Sequence, residues 1–445
     1  MRARWSFLLL LPIPFLCSGI AILLYNLPPV YDRIDRFSED YRVKIQRSIY
    51  TAEEVRFAPQ EQVKLIVQAT LQALSPAASS LPSPAYPVPT NTPLPTATPL
   101  PTETPAPSPT PPPTATPLPS YIALTGVKNE IESRNNCGPA TLSMALSYWG
   151  WQGDQTVTRS VLRPNLSVDD KNVMPAEMVG YVHAYTGLRA LVRVGGDLNI
   201  LKQMIAAGFP VIVEKGHITT GWIGHYILLT GYDDSQGHFF SQDSLVVAAN
   251  TPMPYAELVD HWWRHFNYLY MVIYPQEWEA ALLSILGPHA DAAFNFLHAA
   301  EKARVETGLL QGRELFFAWY NLGSSLTGLG DYAGAAQAYD RAYADVYPTL
   351  KQEKRPWRVL WYQTGPYLAY YSAGRYEDVV NLADATLLAT GSPVLEETFY
   401  WRGMARKAMG DYEGAKADFQ KAVRLNPNAT PALEEIQQID EETDG

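Results

Sequence analysis

The arrangement of apolar and polar positions predicts several distinct regions along the chain. Residues 5–25 form an uncharged, mostly apolar run of 21 residues, long enough for a helix to cross a bilayer. From residue 142, apolar side chains recur at the i, i+3, i+4 and i+7 positions of a helix buried on one face: Leu142, Ala145, Leu146 and Trp149. Pro139 suits the first turn of that helix, and Gly150 suits its end.

Between residues 150 and 276 the helical periodicity gives way to short apolar runs that are typical of strands. Helices are predicted at 175–185, 197–207 and 255–265, and strands at 188–194, 209–214, 224–232, 238–243 and 268–274. The polar residues 233–237 predict a turn, so the strands around it form a hairpin in which paired residue numbers sum to about 469. A helix followed by an antiparallel sheet is typical of an α+β domain.

From residue 277 the pattern is helical again, and it repeats. Gly-Asp-Tyr occurs at 330–332 and at 410–412, and Gly374-Arg375-Tyr376 is a weaker copy. The three glycines are 44 and 36 residues apart, close to a period of roughly 34 residues with insertions. These segments resemble tetratricopeptide repeats. The resemblance implies an all-α array of helix–turn–helix units that binds a protein partner.

Composition sets the remaining boundaries. Between residues 75 and 120 lie 17 of the 36 prolines, so this segment is predicted to be an extended spacer without fixed structure. Before it, one helix face is predicted by Val63, Ile66, Val67, Leu71 and Leu74. The predicted organisation is a cytoplasmic tail (1–4), a transmembrane signal-anchor (5–25), a juxtamembrane stalk (26–74), the Pro/Thr-rich spacer (75–120), an α+β domain (121–276) and a repeat domain (277–445).

The residues around the apolar run predict where the protein resides. Arg2 and Arg4 on its short N-terminal side favour a cytoplasmic N-terminus, with the bulk of the chain outside the cell membrane. The alternative is a signal peptide cleaved at Gly19-Ile20-Ala21, but the apolar run continues beyond that point. The formal net charge of -11 argues against nucleic acid as a partner.

Cys137 is the strongest candidate for chemistry. It lies in an Asn-Asn-Cys-Gly-Pro motif at the predicted start of a helix, where unpaired N–H groups and the helix dipole favour a thiolate. The other cysteine, Cys17, belongs to the apolar N-terminal run. The polar neighbours of Cys137 favour a nucleophile over a buried structural cysteine. A nucleophilic thiol requires a base and a third group that orients the base.

His225 and Asp243 are predicted to supply these two groups. His225 opens one strand of the hairpin and Asp243 ends the next, and the predicted register places His225 opposite Ser244. An imidazole beside a carboxylate at the open end of a hairpin is the arrangement that an oriented base requires. Asp233 and Asp234 are predicted to be turn residues.

Three motifs together resemble a known family. They are the motif around Cys137, the Gly-His-Tyr-x4-Gly-Tyr-Asp-Asp run at 224–234, and Gln-Asp-Ser at 242–244. Their order resembles that of papain-like cysteine peptidases related to the bacteriocin-leader (double-glycine) processing domains. The resemblance covers residues 121–275 and implies that Cys137 is the nucleophile, His225 the general base and acid, and Asp243 the orienting carboxylate.

The resemblance also implies an oxyanion hole, made by a glutamine shortly before the cysteine and by the backbone N–H of the cysteine. No glutamine lies between residues 126 and 137; the candidates there are Glu132, with Asn135 and Asn136 as amide donors. An ionised glutamate would repel the oxyanion, and losing one donor typically lowers turnover about 10²–10³-fold. His217 and Trp222 precede His225 and are predicted to line the substrate groove.

The sequence therefore predicts a membrane-anchored, outward-facing cysteine peptidase that hydrolyses peptide amide bonds, with repeats that bind a protein partner. No cofactor and no metal site are predicted; His261 and His265 have helical spacing but no third ligand nearby. Two alternatives stay open. One is a catalytically weak peptidase fold that binds peptides or proteins, and the other is a different acyl transfer at the same thiol, such as a wall-peptide amidase or transglutaminase-like activity.

Overall fold

The computed structural model describes residues 57, 59, 60, 117–165, 172–218, 221–390 and 394–444. The predicted membrane segment, the predicted stalk helix and most of the predicted spacer lie outside these ranges. Within the described ranges, no helix combines the length and the apolar character needed to cross a membrane.

The first part of the described chain, here called the sheet domain (residues 117–276), combines strands with helices. Its strands are β1 Tyr121–Ala123, β2 Arg189–Arg193, β3 Val211–Ile218, β4 Trp222–Asp233, β5 His238–Gln242, β6 Thr251–Pro254 and β7 Tyr270–Tyr274. Its longer helices are α1 Cys137–Tyr148, α2 Gln155–Leu162, α3 Pro175–Tyr185 and α4 Leu198–Ala206. The predicted α+β class is confirmed.

The strands pair antiparallel in the order β2-β7-β3-β4-β5-β6, and β1 pairs with the end of β4. Helix α1 packs on this sheet, with Leu142 and Leu146 in one core together with Leu228 of β4. Every residue from 138 to 147 is buried, so α1 is enclosed all round rather than along one stripe. The N-terminus of α1 is therefore held in a fixed position over the sheet.

The β4–β5 hairpin has a register within one or two residues of the predicted one. Leu228 pairs with Gln242 and Asp233 with His238, one and two positions further along β5 than expected. The register shifts between Leu229 and Gly231, where a bulge adds one residue to β4, and the pattern of apolar residues gives no sign of it. The predicted helix at 255–265 is also different, because it is a short helical turn followed by π-type and 3₁₀ turns that end at residue 266.

The second part, here called the helical domain (residues 279–444), is an array of paired helices. They are α5 Glu279–Leu286, α6 Ala292–Leu309, α7 Gly312–Gly328, α8 Tyr332–Asp340, α9 Gly365–Ser372, α10 Tyr376–Thr390, α11 Glu396–Ala408, α12 Tyr412–Leu425 and α13 Thr430–Asp444. Three of the turns contain Gly330, Gly374 and Gly410, with φ of 78°, 73° and 85°. Glycine adopts this left-handed conformation without steric cost, which explains its recurrence in the sequence.

The two domains share one hydrophobic core. Trp222 and Phe266 of the sheet domain belong to the same buried cluster as many side chains of the helical domain, including Phe317 of α7. Polar contacts surround this cluster: the side-chain amide of Asn267 donates to Ser325 at 2.9 Å, and Asn321 donates to the carbonyl of Arg264 at 2.7 Å. The domains therefore form one packed body.

The far end of the helical domain also contacts the sheet domain. The side-chain amide of Asn165 donates to the carbonyl oxygen of Arg424 in α12 at 2.9 Å. The amide of Asn428 donates to the carbonyl oxygen of Val161 in α2 at 3.1 Å. The array of helices thus contacts the sheet domain at both of its ends.

Candidate active site

Helix α1 begins at Cys137 and is fixed against strand β4. Asn136 is its N-cap residue, and Thr141 donates to the backbone carbonyl of Tyr226 at 3.2 Å. A Cβ atom on Gly138 would lie 3.0 Å from the Cβ of Val173, so this close packing favours glycine after the cysteine. These contacts hold the thiol next to His225, which precedes Tyr226 in β4.

Cys137, His225 and Asp243 form one connected group. Nε2 of His225 donates to Oδ1 of Asp243 at 2.7 Å, and the imidazole also makes a hydrogen bond with the thiol of Cys137. Because Nε2 is engaged with the carboxylate, Nδ1 is the ring nitrogen that faces the sulfur. His225 is only 2% exposed, so its orientation is set by these two partners. The structure brings together the three residues that the sequence singled out.

The surroundings of His225 favour its protonated form. Burial alone would lower the pKa of His225, but the hydrogen bonds and charges of Asp243 and Cys137 raise it to about 10. Burial alone would raise the pKa of Asp243, but the same imidazole lowers it to about 2, assisted by the backbone N–H of Leu245 and the charge of Lys215. At neutral pH the pair is therefore an imidazolium and a carboxylate.

Two further basic residues of β3 lie close to His225. Lys215 pairs with His225 across the ladder, and its burial lowers the pKa of its amine. The ring centroids of His217 and His225 are 6.0 Å apart. Burial and the positive charges of Lys215 and His225 lower the pKa of His217 to about 4, so this imidazole is neutral at pH 7. Its role in a substrate groove stays a prediction.

Glu132 is buried beside the thiol. Its Oε2 accepts a hydrogen bond from the hydroxyl of Ser244 at 2.6 Å, and its backbone N–H donates to the carbonyl of Ser244 at 3.0 Å. A carboxylate oxygen of Glu132, the Sγ of Cys137 and a ring nitrogen of His225 lie within 4.8 Å of one another. Carboxylate, thiolate and imidazole are all ligands of Zn²⁺, so these three side chains could hold a divalent cation.

Gln155, which the sequence analysis did not single out, holds the loop in front of Cys137. Its Oε1 accepts hydrogen bonds from the backbone N–H of Ser133 and the side-chain amide of Asn136, both at 2.8 Å. Its Nε2 donates to the carbonyl of Ile131 at 2.7 Å. The sequence signal for this residue is weak, since Gln155 merely follows the helix-capping Asp154 at the start of α2.

The two asparagines before the cysteine have roles in the backbone of this loop. The amide nitrogen of Asn136 donates one hydrogen to Gln155 and has a second N–H, so its predicted role as an amide donor to an oxyanion stays a prediction. Asn135 has a left-handed backbone with φ of 50°, and its carbonyl accepts a hydrogen bond from the guanidinium of Arg163. The loop therefore reaches α1 in a conformation that Gln155 of α2 and Arg163, just after α2, stabilise.

Trp222 lies in the interface between the domains, so its predicted place in a substrate groove was wrong. Its indole stacks on Phe266 at 5.7 Å between ring centroids and donates to Nδ1 of His265 at 2.9 Å. Nε2 of His265 is in turn 3.1 Å from Glu314 of α7. A tryptophan near a catalytic motif can pack against a second domain as readily as it can line a substrate groove. The pattern of residues along the chain is the same in both cases.

Known protein families match two parts of the chain. The Peptidase_C39 like family matches residues 122–270, a range that contains Cys137, His225 and Asp243. Tetratricopeptide repeat families match residues 318–344, across α7 and α8, and residues 396–429, across α11 and α12. The chain therefore has a C39-like peptidase domain with an antiparallel sheet, followed by tetratricopeptide repeats.

One solved structure that is similar to the chain is the crystal structure of a candidate C39-like peptidase from Bacillus anthracis. The two share 17% sequence identity over 34% of this chain and 96% of that chain, with a TM-score of 0.30. No curated protein matches the chain.

Proposed function

We propose that this protein is a cysteine peptidase in which Cys137 is the nucleophile, His225 the general acid and base, and Asp243 the orienting carboxylate. The observation that carries the proposal is the buried His225, bound to both partners, with its pKa raised to about 10. An imidazolium next to a thiol stabilises the thiolate, which is the reactive form of cysteine. The family match over residues 122–270 supports the same chemistry.

In the proposed reaction the sulfur of Cys137 attacks the carbonyl carbon of a peptide bond, and the π-electron pair moves onto the oxygen. Nδ1 of His225 gives its proton to the leaving nitrogen as the C–N bond breaks, which leaves a thioester on Cys137. The neutral imidazole then takes a proton from water while the water oxygen attacks the thioester. The acid product departs and the thiolate–imidazolium pair returns, with Asp243 ionised throughout.

The N-terminus of α1 supports the oxyanion of this reaction. The N–H groups of the first helical turn have no acceptor within the helix, and this end of the helix has a partial positive charge. A glutamine at position 132 would add a second donor, whereas an ionised Glu132 adds a negative charge beside the developing oxyanion. We therefore propose a slow enzyme, limited by its oxyanion hole.

The substrate class and location are further parts of the proposal. Peptide amide bonds are the proposed substrate by analogy with the family, and the three sequence motifs support kinship with bacteriocin-leader processing peptidases. The uncharged run at 5–25 supports a membrane anchor with the peptidase outside the cell. The repeats would then hold a protein partner near the site.

Glu132 also favours a second candidate function, a peptidase fold that binds peptides or proteins without efficient cleavage. A carboxylate oxygen within 4.8 Å of the sulfur and the imidazole is unfavourable for a transition state that gains negative charge. In that case the site would bind an extended peptide, and the thiol of Cys137 would not cleave it.

Cleavage of a mixed peptide library by the full-length protein, compared with Cys137→Ala by mass spectrometry, tests the two functions. The full chain is necessary because Trp222 and Phe266 share a core with the helical domain. Cleavage that disappears in the variant would establish a cysteine peptidase. Without cleavage, iodoacetamide labelling in a Cys17→Ser background decides: rapid alkylation of Cys137 at neutral pH supports the reactive thiolate of a peptidase, and slow alkylation contradicts it and favours the binding function.

A further inference from the structure

The helical domain holds a segment from the N-terminal part of the same chain. The ring of Phe57 lies edge-on to Tyr343, with centroids 5.5 Å apart, and 5.8 Å from the ring of Tyr370. Pro59 is buried, and the backbone N–H of Gln60 donates to Oδ1 of Asp378 at 2.8 Å. Residues on both sides of the 75–120 segment thus belong to one packed body.

The side chains that receive this segment form a single network. Arg375 binds Asp378 at 2.7 Å and Asp340 at 2.8 Å, and the hydroxyl of Tyr370 donates to Asp340 at 3.0 Å. The guanidinium of Arg375 lies 4.5 Å above the ring of Tyr370. The aromatic ring that Phe57 contacts and the carboxylate that Gln60 contacts are therefore positioned by the same arginine.

This network contains more negative than positive charge. Asp340 and Asp378 share one guanidinium, and their side chains are 12% and 3% exposed. Burial raises the pKa of Asp340 even though Arg375 opposes the shift. A backbone N–H that approaches Asp378 makes a charge-assisted hydrogen bond and satisfies an otherwise buried oxygen. The surface therefore recognises an aromatic side chain followed by an unpaired backbone N–H.

We propose that the surface formed by Tyr343, Tyr370, Arg375 and Asp378 is a peptide-binding site whose ligand is this chain's own segment 57–60. A protein partner that binds at this surface must displace the segment. Such a partner would offer a phenylalanine and, three residues later, a backbone N–H that is free to donate. A ligand that is part of the same chain binds intramolecularly, which disfavours a free competitor. The site is separate from the thiol and does not depend on the proposed peptidase activity.

Binding of a fluorescent peptide with the sequence of residues 51–66 to the full-length chain tests this proposal. All chains carry Cys137→Ala, so the result is independent of catalysis. Phe57→Ala removes the aromatic contact of the tethered segment without changing the repeats. The peptide is expected to bind the Phe57→Ala chain at least about tenfold more tightly than the parent chain. Equal affinity for the two chains, or no binding to either, would overturn the proposal.

Two variants of the peptide test its recognition by Asp378. Gln60→Pro deletes the N–H and is expected to weaken binding to the Phe57→Ala chain about 10- to 100-fold. Gln60→Ala is the matched control, because it keeps the N–H and loses only an exposed side chain. If the Gln60→Pro peptide bound as tightly as the Gln60→Ala peptide, the assignment of the site would be wrong.

Discussion

At the scale of single residues, Glu132 is the side chain on which the proposed rate of the Cys137 chemistry depends most. It is 6% exposed and is fixed by the hydroxyl of Ser244, so it cannot turn away into solvent without breaking that contact. Charges in such a buried setting interact more strongly than they do in water. The rate of acyl transfer at this thiol should therefore depend on the charge and donor capacity at position 132.

Replacing Glu132 by glutamine is expected to raise the turnover number about 10²–10³-fold. The amide exchanges a charge that repels the oxyanion for an N–H that can donate to it. Steady-state cleavage of a peptide identified from the library measures the change. Glu132→Ala is the control, because it removes the charge without adding a donor. A turnover number that stayed at the wild-type level in both variants would contradict an oxyanion at this place.

Replacing Asp243 by asparagine is expected to lower the rate about 10²-fold or more and to shift its pH dependence. The raised pKa of His225 means that its proton is retained until the pH rises through about 10. Without the carboxylate that pKa falls, so the rate should be lost at a lower pH on the basic side, by at least about one unit. The pH profile of cleavage measures this shift.

Asp233→Asn serves as the control for that experiment. Asp233 is also a carboxylate of the β4–β5 hairpin, but it accepts hydrogen bonds from Ser235 in the exposed turn and does not contact His225. Its variant should keep the wild-type profile. If Asp243→Asn kept it too, the carboxylate would have no part in orienting or charging the imidazole.

At the scale of elements, strand β4 combines the catalytic candidate with two places where only glycine fits. A Cβ atom on Gly224 would lie 2.6 Å from the rings of Tyr362 and Phe266. A Cβ atom on Gly231 would overlap the carbonyl oxygen of Ile122 in β1. Both glycines of the 224–234 motif thus allow close packing around the strand, and Gly224, which contacts Tyr362 of the helical domain, directly precedes His225.

Gly224→Ala is expected to reduce the free energy of unfolding by about 1–3 kcal/mol, because the added methyl group overpacks the contact with Tyr362. The displacement should also slow alkylation of Cys137. Denaturant unfolding measures the first effect. Gly180→Ala in α3 is the control; nothing lies within 4 Å of its added Cβ, and the helix should gain about 0.5–1 kcal/mol. If Gly224→Ala left the free energy of unfolding unchanged, the ring of Tyr362 would be able to move aside without cost.

The elements that depend on local pattern could be predicted from the sequence. The helix over Pro175–Tyr185 and the helix that starts near Cys137 follow from apolar periodicity and from capping residues, which act within a few positions. The two strands of the hairpin were also recognised. His225 and Asp243 were identified as a pair because each lies at the end of one of these strands.

Contacts between distant residues could not be predicted in the same way. The bulge between Leu229 and Gly231 changes the hairpin register without changing which residues are apolar. Gln155 stabilises the loop before Cys137 through long-range hydrogen bonds. Trp222 was assigned to the substrate groove because nothing in its neighbourhood indicates that another domain covers it. In each case the information lies in a partner far away in sequence.

At the scale of the whole molecule, the shared core makes the sheet domain depend on the repeats. A chain that ends at residue 276 would expose Trp222 and Phe266, each only 2% exposed in the intact protein. Burial of such a side chain stabilises by about 2–3 kcal/mol. The shortened chain is expected to melt at a lower temperature and to bind a hydrophobic dye, as differential scanning calorimetry and dye fluorescence would measure.

A chain that ends at residue 429 is the matched control for this truncation. It loses α13 but keeps α7 against Trp222, so its sheet domain should melt close to the temperature of the full chain. An equal melting temperature for the chain that ends at 276 would mean that the sheet domain is stable by itself.

The contact at the far end of the array has a mechanical consequence. Asn165 and Asn428 hold α12 against α2 through two hydrogen bonds, each worth only about 0.5–1.5 kcal/mol. In a repeat array each unit touches mainly its neighbours, so a small change of angle between two units adds up along the array to a large displacement at its end. The near end is clamped by the aromatic core. The two hydrogen bonds at the far end should therefore respond first to a change in the curvature of the array. A ligand that bends the repeats would break them before it disturbs the aromatic core at the near end.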